Sequence, residues 1–225
     1  MKPRIHRSLA FLLGMMLAVP CFAGEIVDRV IANVNGHIVL QSDWEQELAL
    51  EALLNGRPVD SFTSAERKAA LDRLIDRELL REQVRPSEAA PAGLVAARVS
   101  EVRKLLPDAT TDEGWRTVLQ RHGLTQSTLE KRLGEEIQLM RLVEARLRPS
   151  IQIDQHAVET YYHDELLPQL KRTGGREVAL PEVFGRIKDL LAEQRLNQLL
   201  SGWLASLRSA SQIQTPPSLA GVENR

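Results

Sequence analysis

Few residues in this chain have the types and spacing that chemistry requires. His156 and His163 lie seven apart on one expected helix, with Glu159 between them. A helical pair of metal ligands uses i, i+4 spacing, as in H-E-x-x-H, and that motif is absent. Gly174-Gly175 is not followed by the Lys-Ser/Thr pair of a phosphate loop and reads better as a linker. The neighbouring carboxylates Glu135-Glu136 and Asp112-Glu113 fall on helix faces and starts, where they complement the helix dipole or meet water. The only cysteine is Cys21, and no serine sits in a G-x-S-x-G elbow. The expectation is therefore no catalytic residue, no metal and no cofactor. What remains is chemistry of contact. Trp44, Trp115, Leu119, Leu133, Met140, Tyr161 and Tyr162 are the candidate lining of an apolar peptide-binding groove.

The first element available to position such a surface is Asp28–Leu48. Apolar Val30–Val34 and Ile38–Leu40 flank Asn35-Gly36, the pair that supplies the positive φ angles of a type I′ hairpin turn. This register sets Ala32 opposite Val39 and Ile31 opposite Leu40, so both sides of the hairpin are partly apolar and both call for cover. Ser42 followed by Glu45 has the spacing of a capping box opening a helix.

Ahead of this lies a targeting pattern. Lys2, Arg4 and Arg7 form a basic start, Leu9–Ala18 is an apolar run too short to span a bilayer, and Pro20 breaks it. Ala23–Gly24 is the expected cleavage point, making residues 1–23 a secretory signal peptide and the mature protein periplasmic. The mature chain then has no cysteine, and an exported domain without disulfides relies on its own core. The chain of 225 residues carries 29 basic and 30 acidic side chains, and loss of the basic start leaves it mildly acidic. An interleaved, mildly acidic surface excludes nucleic acid as a partner and gives no basis for stable membrane insertion.

The rest reads as helices. Thr63 and Glu66 form a second capping box, before Leu71, Leu74, Ile75, Leu79 and Leu80 at helical spacing, with Pro86 beyond. Pro91 opens a helix lined by Val95, Val99, Val102 and Leu106. Trp115, Val118, Leu119 and His122 share a face that Gly123 terminates. Thr125 caps a helix whose stripe is Leu129, Leu133, Ile137, Met140, Val143 and Leu147. Asp154 caps another carrying Val158, Tyr161 and Tyr162, which Pro168 is expected to end. Residues 171–180 form a linker. A long helix follows from about Glu182 to about Ser209, whose stripe drifts through Ile187, Leu190, Leu191, Leu196, Leu200, Trp203 and Leu207. Gln212–Gln214 is a candidate strand, and residues 215–225 form an expected disordered tail.

With these segments in order, the chain resembles the SurA-type periplasmic chaperones. The resemblance rests on VDRVIANVNGHIVLQSDWEQEL, on ALDRLIDRELLREQ at Ala70–Gln83, on Trp115–Ile153, on the helix ending in Tyr161-Tyr162, and on the final segment Glu193–Ile213. It implies a mainly α fold, a SurA-like helical chaperone module with a small N-terminal β-hairpin that a C-terminal strand joins. On that reading residues 24–170 and 181–214 complete one module. It also implies unfolded or nascent exported polypeptides as partners. The family carries one or two prolyl isomerase domains where this chain has only residues 171–180, and a domain needs roughly 40 residues or more. The resemblance therefore implies a chaperone without isomerase activity. Two alternatives stand beside it: an isomerase-family protein with residual activity, and a dedicated assembly subunit serving one client.

Overall fold

A computed structural model describes residues 28–84 and 90–216. The expected signal segment, its cleavage point Ala23–Gly24, Pro86 and most of the expected tail lie outside the described residues. The chain opens with β1 (Val30–Val34) and β2 (His37–Leu40), joined by Asn35 at φ 52° and Gly36 at φ 93°. These are the positive angles of the type I′ turn. Ala32 pairs with Val39 as the sequence implies, but Val30 pairs with Leu40 and the register shifts between Val30 and Ala32. The bulge corrects the expected pairing of Ile31 with Leu40. An extra residue in one strand puts two successive side chains on one side, so Ile31 and Ala32 are both buried while Val30 and Ile38 face outward. Only one face of the hairpin is covered.

The cap of α1 (Gln41–Leu54) also differs from the expected Ser42–Glu45 box. The strand runs straight into the helix, and the Gln41 N–H still donates to the Arg29 carbonyl. The cap position is Leu40, whose N–H donates to Asp43 Oδ2 at 3.0 Å. Ser42 lies inside the first turn, and both its N–H and its hydroxyl donate to Asp28. The second box stands. Thr63 caps α2 (Ser64–Arg81), and its N–H donates to Glu66 Oε2 at 2.7 Å while the Glu66 N–H returns to Thr63 Oγ1. The Thr63 N–H, with Arg57 behind it, lowers the Glu66 carboxyl to about 2.

Beyond α2 come α3 (Ala92–Lys104), α4 (Asp112–Arg121) and α5 (Gln126–Leu147). Gly123, at φ 68°, closes α4 with paired bonds, Gly123 N–H to Gln120 O and Leu124 N–H to Leu119 O, and Leu124 and Leu119 then share the core. That core gathers Leu50 and Leu53 of α1, Val99 and Val102 of α3, Trp115 and Leu119 of α4, and Leu129 and Leu133 of α5. A second cluster seats Ile31, Ala32, Val34 and Val39 of the hairpin on Leu74, Ile75 and Leu79 of α2.

Asp154 caps α6 (Gln155–Tyr161) through the Ala157 N–H. Pro168 does not end this run. A wide turn over Tyr162–Leu166, closed by the Leu167 N–H on the Tyr162 carbonyl, leads into α7 (Leu167–Thr173). Proline lacks an N–H and crowds the carbonyl one turn back. The wider π turn accommodates both, and Pro168 sits in the first turn of α7. Lys171–Thr173 thus belong to α7, and the connection to α8 (Leu180–Ala210) shortens to Gly174–Ala179. Pro181 lies in the first turn of α8, as its spacing implies.

The chain then returns to its start. β3 (Ile213–Gln214) pairs antiparallel with β1, giving the sheet order β2-β1-β3. Asn35 reinforces the closure. Its N–H donates to the Gln212 carbonyl at 2.9 Å, and its side-chain oxygen accepts from the Gln212 N–H at 2.8 Å. Its amide nitrogen donates to Glu82 and to Ser211 Oγ. Arg208 ties α8 to α2 through Asp76 at 2.6 Å and the Asp72 carbonyl at 2.9 Å. Asn35→Asp keeps the side chain's shape but removes the donor and sets a carboxylate against Glu82. The expected loss is about 1–2 kcal/mol, read as a lower urea midpoint. Asn35→Gly retains the turn angle without the repulsion, so its midpoint is expected to lie above that of Asn35→Asp.

Candidate binding surface

The seven residues singled out from sequence do not form one groove. Trp115, Leu119 and Leu133 share the main core, with exposures of 5%, 2% and 0%. The Trp115 indole N–H donates to Gln126 Oε1 at 2.7 Å, so its one polar atom is satisfied internally. Trp44 lies elsewhere, half-buried, its indole N–H donating to the Arg67 carbonyl at 2.9 Å. Tyr162 is buried with its hydroxyl donating to the Val178 carbonyl at 2.8 Å, and Tyr161 packs half-buried beside it. Met140 alone is open, at 61% exposure. The expected stripe on α5 is corrected there. Leu139, not Met140, packs against α8 and Val143. α5 lies on α3 over its first half and on α8 further along, so the contact line moves round the helix by about one residue position.

Two open clefts flank α4. One, of about 590 Å³, lies between Pro58-Val59, Leu106-Pro107 and Val118, with Arg121 and His122 at its side. His122 Nδ1 donates to the Val118 carbonyl at 2.9 Å, since a carbonyl oxygen can only accept. The other, of about 460 Å³, shows the edge of Trp115 between Val99, Ser100, Arg103 and Arg116. The apolar surface is otherwise distributed. Leu94 and Leu105 of α3 and its C-terminal end are 49% and 67% exposed, and Leu190 of α8 is 41% exposed.

Sequence reasoning missed one constellation altogether. Glu47 of α1 is 7% exposed and accepts from Arg77 Nη2 of α2 at 2.6 Å and from Arg132 Nη2 of α5. Arg73 approaches the same carboxylate at 4.0 Å and pairs with Glu51. Arg132 also faces Glu135 at 3.6 Å. Burial lowers the Arg132 guanidinium below its usual value, Arg77 adds to this, and Glu47 opposes it. A carboxylate that accepts from two guanidinium groups through one oxygen is a fixed acceptor tying α1, α2 and α5 together. Nearby, burial raises the Glu78 carboxyl.

Among the described residues no three His, Cys, Asp or Glu side chains gather as metal ligands, and no helix is long and apolar enough to cross a membrane. Compared with known proteins, the chain matches no family model and no curated protein. What the molecule offers is a mainly helical body closed by a three-stranded antiparallel sheet, with apolar side chains left open along its helices.

Proposed function

We propose that this protein is an ATP-independent periplasmic chaperone. It is exported under a cleaved N-terminal signal, and it holds unfolded outer-membrane polypeptides on apolar surface without isomerising their prolines. The observation that carries this reading is the closure of the chain. The far end, Ile213–Gln214, pairs with the first strand, the arrangement that the resemblance to SurA-type chaperones implies for their substrate-holding module. Only Gly174–Ala179 stands where that family carries its isomerase domains. Contact surface in place of a deep pocket suits weak, exchanging association with many sequences. Met140 is the side chain best placed to take part, because methionine adapts to irregular partners and this one is open.

The test is suppression of aggregation. An unfolded outer-membrane β-barrel is diluted from urea into the protein at equal concentration, with a folded globular protein as control. Light scattering is expected to fall several-fold relative to the control, and Met140→Ser is expected to weaken the effect without changing the melting temperature. Unchanged scattering with folded protein overturns the chaperone reading. Capture of one stoichiometric partner from periplasmic extract, in place of many unfolded chains, turns it toward a dedicated subunit. Acceleration of prolyl isomerisation in a protease-coupled peptide assay overturns the non-enzymatic part.

A further inference from the structure

The 31 residues of α8 span about 46 Å, and the helix does not bury one continuous face. Its two buried side chains are Ile187 and Leu196. Nine residues are about two and a half turns, so these two point to opposite sides. Ile187, with Leu180, Val183, Phe184 and Leu191, packs against Val158 and Tyr162. Leu196, with Leu200, Trp203, Leu204 and Leu207, packs against Leu80 and Val143. The buried face therefore changes sides between Leu191 and Leu196. The first half of α8 and the α6–α7 segment form an arm that lies on one side of the helix, and the body lies on the other. The incoming connection makes the same crossing: Ile151 packs into the body cluster and Ile153 into the arm cluster.

The arm is its own packing unit. Its cluster draws only on residues from Ile153 to Leu191, and no residue of the body's clusters belongs to it. Two covalent connections join it to the body, α8 itself and the stretch from Arg148 to Ile153. At that crossing sits one polar clamp. Arg148 donates to both carboxylate oxygens of Glu144 at 2.6 and 2.7 Å and, through Nη2, to Glu193 Oε1 at 2.7 Å. Glu144 belongs to the body, and Glu193 lies between the two faces of α8.

We infer that the arm is a lever that swings against the body about the α8 crossover, and that Arg148, held between Glu144 and Glu193, sets its resting angle. An exposed clamp is weak enough to release, because water and salt compete for it, and small changes at such a point become large displacements at the end of a long helix.

The test uses the full chain with Cys21→Ser, spin-labelled at cysteines placed at the exposed positions Lys131 in the body and Lys188 in the arm. The interspin distance distribution is measured by pulsed electron resonance. At low salt a narrow distribution is expected, broadening about twofold in Arg148→Ala, with the helical circular dichroism unchanged. The parent protein in 1 M salt is expected to broaden toward the variant. Glu193→Gln removes the charge from the α8 side of the clamp, at a side chain 55% exposed, and provides the reading should Arg148→Ala fail to fold. Identical narrow distributions in parent and variants overturn the inference, since packing alone then holds the arm. A parent distribution already as broad as the variants' overturns it equally, since Arg148 then sets nothing.

Discussion

Replacing Glu47 with alanine is expected to cost about 3–5 kcal/mol, because among the described residues it is the buried charged side chain on which two arginines converge. Arg77 and Arg132 would be left side by side without the carboxylate they share, their side chains only 19% and 11% exposed. The nearest alternative carboxylate for Arg132 is Glu135, on its own helix at 3.6 Å, and it cannot tie α5 to α1. For a domain of this size the loss lowers the melting temperature on the order of 10 °C. Because the group is buried, added salt should recover little of it. Glu47→Gln separates charge from shape. It keeps an acceptor for one guanidinium but not the charge that both require, so it is expected to fall between parent and Glu47→Ala. Arg132→Met leaves Glu47 paired with Arg77 and should cost less, about 1–3 kcal/mol. Urea midpoints of the three variants give the order directly. A Glu47→Ala midpoint indistinguishable from the parent would mean that water already solvates the arginines and that the network holds nothing.

This network also marks where the sequence stops being legible. The hairpin turn, the Thr63–Glu66 cap, the Gly123 stop and the Thr125 and Asp154 caps are local chemistry, decided within about four residues, and each stands in the structure. Where a neighbour distant in sequence decides, the reading fails. The bulge at Ile31 answers to α2 beneath the hairpin, and Leu139 replaces Met140 because α8 arrives from far along the chain. Glu47 is one of four carboxylates between Asp43 and Glu51, nothing in their spacing singles it out, and its two arginines lie 30 and 85 residues away. The drifting stripe of α8 was visible, but its meaning was not. A stripe that leaves one face and reappears on the opposite one looks like a weak pattern until the two packing partners are known. The candidate groove suffered for the same reason. Aromatic and leucine side chains at helical spacing identify an apolar face, and the same face serves a core or a partner equally well.

Leu133 and Met140 turn that ambiguity into a measurement, because they lie seven residues apart on one side of α5 and differ in what surrounds them. Leu133 is fully buried against α3 and α1, whereas Met140 is 61% exposed. Leu133→Ala removes three buried carbons and leaves a void that surrounding helices fill only in part, for a loss of about 2–5 kcal/mol. Met140→Ala removes side chain already in water and should fall within about 0.5 kcal/mol of the parent. In an aggregation assay run well below either melting temperature, the order should reverse. Leu133→Ala, still folded, keeps its suppression because the leucine touches no client, and Met140→Ala loses part of it. If Leu133→Ala proves neutral in stability while abolishing suppression, the α3–α5 interface opens in solution and the groove inferred from sequence is real after all. If both variants suppress fully, α5 is a structural helix along its whole length, and the holding surface lies on the arm, where Tyr161, Phe184 and Leu191 remain half-covered.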